Sequence, residues 1–380
     1  MKHYFDNSAT TIVCQSAIES AIKVMGQTYG NPSSLHLMGI EAEMIIKSAK
    51  ESIASVINAI PEEIYFTSGG TEGNNLALFG ASNAKRRSGN HIITSAFEHH
   101  SVINPLRQLS KQGFEITEVS FDKDKNLDIE KISECVTDKT IMASFMLVNN
   151  EIGTILPIKE AVRSIRRKNK NVLIHCDAVQ AFMKIPINVR ALDVDILTVS
   201  GHKVHAPKGI GAVYIKKGVR LTPLLYGGGQ QNGIRPGTES VPLIAAIDAV
   251  CRESGSLIKE NHEYVSGLNR LLREKLLGNK RITVNSPDDA IPYILNISIH
   301  NIRSEIMLHY LEKHDVFVSS GSACSKGEKS HVLKAIGMSD KDIDSALRIS
   351  FSKYNTKEDV DILLDAIEKG IDSLAQNKRH

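Results

Sequence analysis

Ser200-Gly201-His202-Lys203 joins two apolar runs, Asp195 to Val199 and Ile210 to Ile215, within DILTVSGHKVHAPKGIGAVYI. Runs of that composition form strands, so Lys203 stands at a strand end in a loop of Gly, His and Lys. A loop lysine is ordinarily a solvated charge. Lys203 instead follows a small-residue turn, leaves a buried strand and has His202 and His205 beside it, which favours a lowered pKa and amine attack on a carbonyl. A second element of chemistry is SGGTEGNN, after the run IYFT. Gly69, Gly70 and Gly73 allow close backbone approach. Ser68 and Thr71 add hydroxyls where the first helical N–H groups lack partners, and together these make a cradle for an anion such as phosphate. The pattern is neither GxGxxG nor the Walker sequence, and an ordinary glycine-rich turn explains it equally well in isolation. The third element is Cys324, set among small residues in SSGSACSKGEKSHVL, where Lys326 and Lys329 favour its thiolate. Cys14, Cys135, Cys176 and Cys251 lie in apolar surroundings and read as small buried hydrophobes.

The elements that must position these groups alternate between strand and helix. IYFT, HIITS, IMASFMLV and NVLIHC are each followed by polar residues opening a helix, the pattern of a doubly wound parallel sheet. Ligands of such sheets sit beyond the carboxyl ends of the strands, so His99, Asn150, Asp177 and Lys203 are expected to face one crevice. Taken singly, each is equally a helix cap or a local hydrogen-bonding group, Asp177 above all. Ahead of the sheet, Ile18, Ala21, Ile22 and Met25 recur at helical spacing and are expected in the core. A second helix with Ala42, Ile45, Ile46, Ala49, Ile53 and Val56 on one face ends before Pro61. GGGQQNGIRPGTES forms an irregular loop. The helical region from Val241 to Leu277 connects to a smaller α+β part with strands ILNISI, VFVSS and LRISF, closed by a helix that Thr356 and Asp359 cap.

Composition removes several classes of function. The 380 residues suffice for one large domain and a smaller one, and 46 basic against 43 acidic residues leave a formal charge of +3, no field for nucleic acid or a membrane surface. The basic stretch from Arg163 to Lys170 reads as a solvated helix end. The five cysteines have neither a CxxC pair nor metal-ligand spacing, so no metal site is expected and a reducing compartment fits. MKHYFDNSATT has no apolar core of a signal peptide, and no segment approaches the ~20 apolar residues of a spanning helix. The expected location is cytoplasmic.

Along nearly its whole length the chain resembles the cysteine desulfurases of the NifS/IscS kind, pyridoxal-phosphate enzymes of the class-V aminotransferase, fold-type I group. The resemblance lies in FDNSATT, GNPSSLH, TSGGTEGNN, EHH, NNEIG, DAVQ, SGHKVHAPKGIG, GGGQQNGIRPGT, SSGSACS and LRISF, in family order. It implies a large cofactor domain over residues 13–255, and a small domain of residues 1–12 and 256–380 carrying the cysteine loop. Lys203 would bind the aldehyde of pyridoxal phosphate as an imine, Asp177 would pair with the pyridine nitrogen, and Gln180 would hydrogen-bond the phenolic oxygen. His99 would stack on the ring and move protons. Gly70, Thr71, Ser200 and His202 would hold the phosphate with Thr238 of the partner subunit of a homodimer. Arg348, assisted by Asn150, would receive the carboxylate of L-cysteine. Cys324 would take the sulfur as a persulfide, release L-alanine and pass the sulfur to an acceptor protein, an iron–sulfur scaffold or a thiolation enzyme; a share of Cys324 in holding a nascent cluster stays open. The loop after Cys324 is about two residues shorter than the SLEPSHVL-like form, and RPGTES replaces RSGT. Selenocysteine lyase chemistry, a non-catalytic scaffold and a simple aminotransferase are the competing readings.

Overall fold

The computed structural model describes residues 2–121, 126–320 and 329–376. After a short strand β1 (His3–Tyr4), seven strands form the main sheet: β2 (Ile64–Thr67), β3 (His91–Ser95), β4 (Glu115–Val119), β5 (Thr140–Met146), β6 (Leu173–Asp177), β7 (Ile196–Ser200) and β8 (Gly211–Ile215). Their order is β2-β8-β7-β6-β5-β3-β4, and only β8 runs antiparallel to its neighbours. β3, β5, β6, β7 and β8 are buried along their whole length, as strands covered on both faces must be. β4 is the edge, and its glutamates Glu115 and Glu118 are exposed. Charge of that kind discourages further pairing and also hides the strand from a search for apolar runs.

The layers follow from the helices α1 (Gln15–Gln27), α2 (Leu37–Ile57), α3 (Gly70–Lys85), α4 (His100–Lys111), α5 (Ile129–Cys135), α6 (Ile158–Lys168), α7 (Val189–Leu192) and α8 (Val241–Ser254). α3 and α4 cover one face through Leu76, Leu78, Leu106 and Leu109, which pack on Ile92, Ile141 and Val213. The other face, with Ile174 and Leu197, packs against Ile53 and Ile57 of α2, Ile165 of α6 and Ile244 and Ile247 of α8. The helical region expected from Val241 to Leu277 breaks at Gly255–Leu257, a single tight turn, before α9 (Ile258–Leu277).

The smaller part contains β9 (Ile282–Val284), β10 (Ile294–Ile299), β11 (Val316–Phe317), β12 (Ser319–Ser320) and β13 (Ala346–Ser350), with helices α10 (Ser304–Glu312), α11 (His331–Ala335), α12 (Asp340–Asp344) and α13 (Lys357–Gln376). β12-β13-β10-β9 form an antiparallel sheet in which Arg348 stands opposite Asn296 and Ser319. Thr356 and Asp359 cap α13 reciprocally, as their spacing predicts. The N-terminal residues act as a strap. β1 pairs with β11, Asn7 N donates to Ser350 O, and further along Thr11 N and Cys14 N donate to His202 O and His205 O. The strap therefore ties the small sheet to the loop that carries Lys203.

Three expectations need correction. On α1 the buried face, packed against α8, is Ala17, Ala21 and Val24, while Ile18, Ile22 and Met25 point outward. Arg166 is no solvated helix end: its guanidinium donates to Asp195, Asp193 and the Val172 carbonyl, pinning α6 to the start of β7. Cys135 is only partly buried, unlike Cys14, Cys176 and Cys251.

Candidate active site

The carboxyl ends of β5, β6 and β7, the β2–α3 turn, the strap and β13 enclose a cavity of about 470 Å³. Gly70, Thr71, His99, Asn150, Asp177, Gln180, Ser200, His202, Lys203 and Arg348 all line it, together with Asp6, Ser8, Ala9, Met146, Val179 and Ser319. Thr238 is exposed and lies outside this cavity. Cys324 and Lys326 fall outside the described residues, and so does the shortened loop up to Glu328. Lys329, expected to favour the Cys324 thiolate, is paired with Asp340 at 2.8 Å, so its charge is already answered.

Lys203 lies in one turn of 3₁₀ helix directly after β7, and its Nζ donates to the carbonyls of Ser8 (2.6 Å) and Ala9 (2.7 Å). One strand over, Asp177 ends β6. Asn74 of α3 donates to Asp177 Oδ2 at 2.7 Å and the Val179 N–H to Oδ1 at 2.9 Å. Burial pushes the Asp177 carboxyl up, and these two donors and Lys203 pull it back toward the anion. Residues 179–184 form successive turns instead of the expected helix, and the Asp177 side chain caps the first of them. Gln180 Nε2 donates to Ser8 O at 3.0 Å, and Gln180 Oε1 accepts from Lys184 Nζ at 2.9 Å.

The cradle is formed as its residue types require. Gly69, at φ +150°, precedes α3 and leaves the helix without a side-chain cap. Gly73 lets α3 lie against the sheet, since a Cβ there would meet Thr198 Cγ2 at 2.6 Å. The Ser200 hydroxyl is buried beside this helix end and has no hydrogen-bond partner among the described residues. An uncapped N-terminus with an unmatched hydroxyl beside it is a site for an anion.

Electrostatics sets the remaining groups. The His99 Nδ1 accepts from Ser101 N at 3.1 Å, which fixes the ring at the head of α4. Burial, then the charge of Lys203, pushes its pKa down to about 4. His99 is therefore a neutral imidazole near pH 7, not one titrating there. His202 is likewise pushed to about 4, by burial and Lys203. On the opposite wall Arg348 donates to Asp6 Oδ1 at 2.9 Å and to the main-chain carbonyl of Asn150 at 3.1 Å, while its Nε is buried with no partner among the described residues. Burial drives the Glu98 carboxyl up to about 8 and that of Glu151 to about 7. Ser330 donates to Glu151, and His331 Nε2 lies 3.0 Å from the Glu98 carbonyl, so the chain after residue 328 is fastened to the turns bearing His99 and Asn150.

Sequence reasoning missed Asn74, Ser8, Asp6 and Lys184, which hold Asp177, Lys203, Arg348 and Gln180. Each meets its partner across the fold or through a turn. Asn74 alone carried a signal, being on α3 directly after Gly73 of the glycine cradle.

Cradle, carboxylate and amine match the three ends of one ligand: the phosphate, the ring nitrogen and the aldehyde of pyridoxal phosphate, held at the carboxyl edge of an α/β sheet. The molecule is thus a pyridoxal-phosphate enzyme by its fold and its donor set. The aminotransferase class-V model matches residues 3–363, and the chain belongs to that family, whose members depend on this cofactor. It is 39% identical over 374 residues to a cysteine desulfurase IscS of Methanosarcina thermophila, covering 98% of this chain and 92% of that protein. A solved NifS-like protein superposes with a TM-score of 0.92 at 36% identity, covering 99% of this chain and all of the other. A second solved chain, SspA in complex with cysteine, gives 0.83 at 31% identity over 94% of this chain and all of that one.

Proposed function

We propose that this chain removes sulfur from L-cysteine, yielding L-alanine and a persulfide on Cys324. The observation that carries the reading is one cavity holding Lys203, Asp177 and a part-satisfied Arg348, in a chain that matches cysteine desulfurases end to end. The bound cofactor supplies an electron sink for the bonds around the substrate α-carbon. Lys203 would carry it, Asp177 would answer its ring nitrogen, and Gly70, Thr71, Ser200 and His202 would hold its phosphate with Thr238 of the partner subunit. Gln180 would donate to its phenolic oxygen. His99, neutral at working pH, would stand beside it as a group able to accept a proton. Arg348 receives the substrate carboxylate with Asn150 beside it. The Cys324 thiolate attacks the substrate sulfur; an S–S bond forms, the C–S bond breaks with its electron pair on carbon, and that carbon is protonated to complete alanine.

The cofactor domain spans residues 13–255 and the small domain 1–12 with 256–380. The working unit is a homodimer: Ile12, Ile22, Met25, Leu35, Leu37 and Met44, on or beside α1 and α2, are all more than half exposed, an apolar face of the kind that subunits cover. The location is cytoplasmic, and no helix among the described residues is long and apolar enough to cross a membrane. The persulfide passes to an iron–sulfur scaffold or a thiolation enzyme.

The test is a single turnover with L-cysteine, following the cofactor's visible band, alanine release and the mass of alkylated Cys324. One alanine and one added sulfur per chain are expected, and Cys324→Ala abolishes sulfur retention. A reacting band without sulfur on Cys324, or full turnover by Cys324→Ala, overturns the reading and turns the search to selenocysteine.

A further inference from the structure

Lys184 has no part in the chemistry above, yet it is only 5% exposed. Its Nζ donates to Gln180 Oε1 at 2.9 Å and lies 5.7 Å from the ring centroid of Tyr293, and no carboxylate pairs with it among the described residues. A buried ammonium without a counter-charge costs several kcal/mol, and packing alone would favour an apolar side chain. The backbone is also constrained here. Met183 is buried with φ +59°, a left-handed conformation that costs a non-glycine residue about 1–2 kcal/mol. The turn that aims Lys184 inward is held against strain.

The consequence falls on Gln180. The two ends of a glutamine amide have the same shape, and partners decide which way it faces. Lysine has only donors, so it claims the carbonyl and leaves the N–H groups for Ser8 O and the cavity. Lys184 also shares with Lys203 the lining of a small cavity of about 30 Å³. We propose that Lys184 is a positioning residue of the cofactor site: it turns the Gln180 amide so that N–H faces the cofactor, and places a second cation behind Lys203. This rests on the pyridoxal-phosphate reading of the cavity.

The charged and titratable groups facing Lys184 are few. Lys203 and Arg348 stand on the site side, His202 and His205 are neutral near pH 7, Lys353 is paired with Glu253, Tyr293 lies beneath, and His262 Nδ1 from α9 lies 3.2 Å from the Lys184 main-chain carbonyl. Burial and the two cations bring the Lys184 pKa down to about 7, so its charge acts at and below neutral pH. Interaction between charges is mutual, so Lys184 disfavours a proton on the group that joins Lys203 to the cofactor. An N–H from Gln180 toward the phenolic oxygen acts in the same direction, because it stabilises the ionised oxygen.

Both effects are read by titrating the visible band of the holoenzyme with pH. In Lys184→Met the midpoint is expected to move up by about one pH unit or more, the scale of coupling between adjacent titrating groups, with Lys184→Arg staying near the wild type. Lys184→Gln, uncharged but polar, replaces the methionine variant should that one not fold, with an upward shift again expected. An unmoved midpoint in the uncharged variant, or an equal shift in Lys184→Arg, overturns the assignment. Wild-type protein that binds no pyridoxal phosphate at all refutes the cofactor reading instead, and the assignment falls with it.

Discussion

The two walls of the cavity are assembled in different ways. On the cofactor wall, Asp177, Ser200 and Lys203 follow directly from adjacent strands of one sheet, and Asp177 is already fixed by Asn74 and Val179. The facing wall is gathered from distant pieces: Asp6 from the strap, Asn150 and Glu151 from the turn after β5, Arg348 from β13 and Ser330 at the head of α11. Its contacts are exchangeable. Asp6 presents to Arg348 the same carboxylate chemistry that an amino-acid substrate would bring, while Arg348 Nε stays unmatched. One wall is organised before any ligand arrives, so that dipoles and charges need no rearrangement. On the proposed function, the other holds its cation with a placeholder that a substrate carboxylate would displace or share.

Breaking the fixed wall has the largest effects. Lys203→Ala removes the amine itself, and turnover is expected to vanish along with the covalently held cofactor, read as loss of borohydride-fixed pyridoxyl label by mass spectrometry. Asp177→Asn keeps the shape and loses the charge; removing one partner of a buried charged pair costs ~3–5 kcal/mol, so kcat should fall by roughly 10²–10⁴. Steady-state rates at saturating cofactor check this, and a change below tenfold would separate Asp177 from the ring nitrogen. On the exchangeable wall the expected loss is smaller and falls on binding. Arg348→Lys replaces a planar fork by a point charge and forfeits a bidentate contact worth about 1.5–3 kcal/mol, seen as a KM for L-cysteine raised about 10- to 100-fold. An unchanged KM would mean the carboxylate is received elsewhere.

The same contrast explains what was legible in the sequence. Residues of the fixed wall sit at ends of apolar runs, and their chemistry shows in the run itself: NVLIHC ends at Asp177, and DILTVS leads to Lys203. Gly69, Gly70 and Gly73 are legible for a related reason, because only glycine tolerates the close approach of α3 to β7 and the turn before it. The exchangeable wall leaves no such mark. Asp6 meets Arg348 across 342 positions and Glu151 meets Ser330 across 179, separations to which no periodicity is sensitive. Arg348 itself was found by resemblance alone. The edge strand β4 was missed because exposure selects glutamate there, and α1 was turned the wrong way because its larger apolar side chains face the outer surface.

An effect on stability, with none expected on turnover, tests the joint between the walls. Glu98 precedes His99, accepts from Met146 N at 3.0 Å and from Ser95, and its main-chain carbonyl meets His331 from the far side. Burial raises its pKa from the usual 4.5 to about 8. The folded chain thus keeps a proton that the unfolded chain releases between those values. Stability from this group is fully present below about pH 4.5 and declines as pH rises toward 8, by up to about 1.4 kcal/mol per pH unit, then levels off. Glu98→Gln retains an acceptor for Met146 N and Ser95 and cannot lose a proton. The variant should therefore match the wild type near pH 5 and exceed it increasingly toward pH 8 in urea midpoint. His175, buried and pushed down to about 3, gives a slope of the opposite sign, with stability lost as pH falls from 6.5 toward 3. That slope is common to both proteins and cancels in their difference. A difference that stays constant from pH 5 to 8 would show that Glu98 ionises in the folded chain as freely as in water, and that the joint is open to solvent.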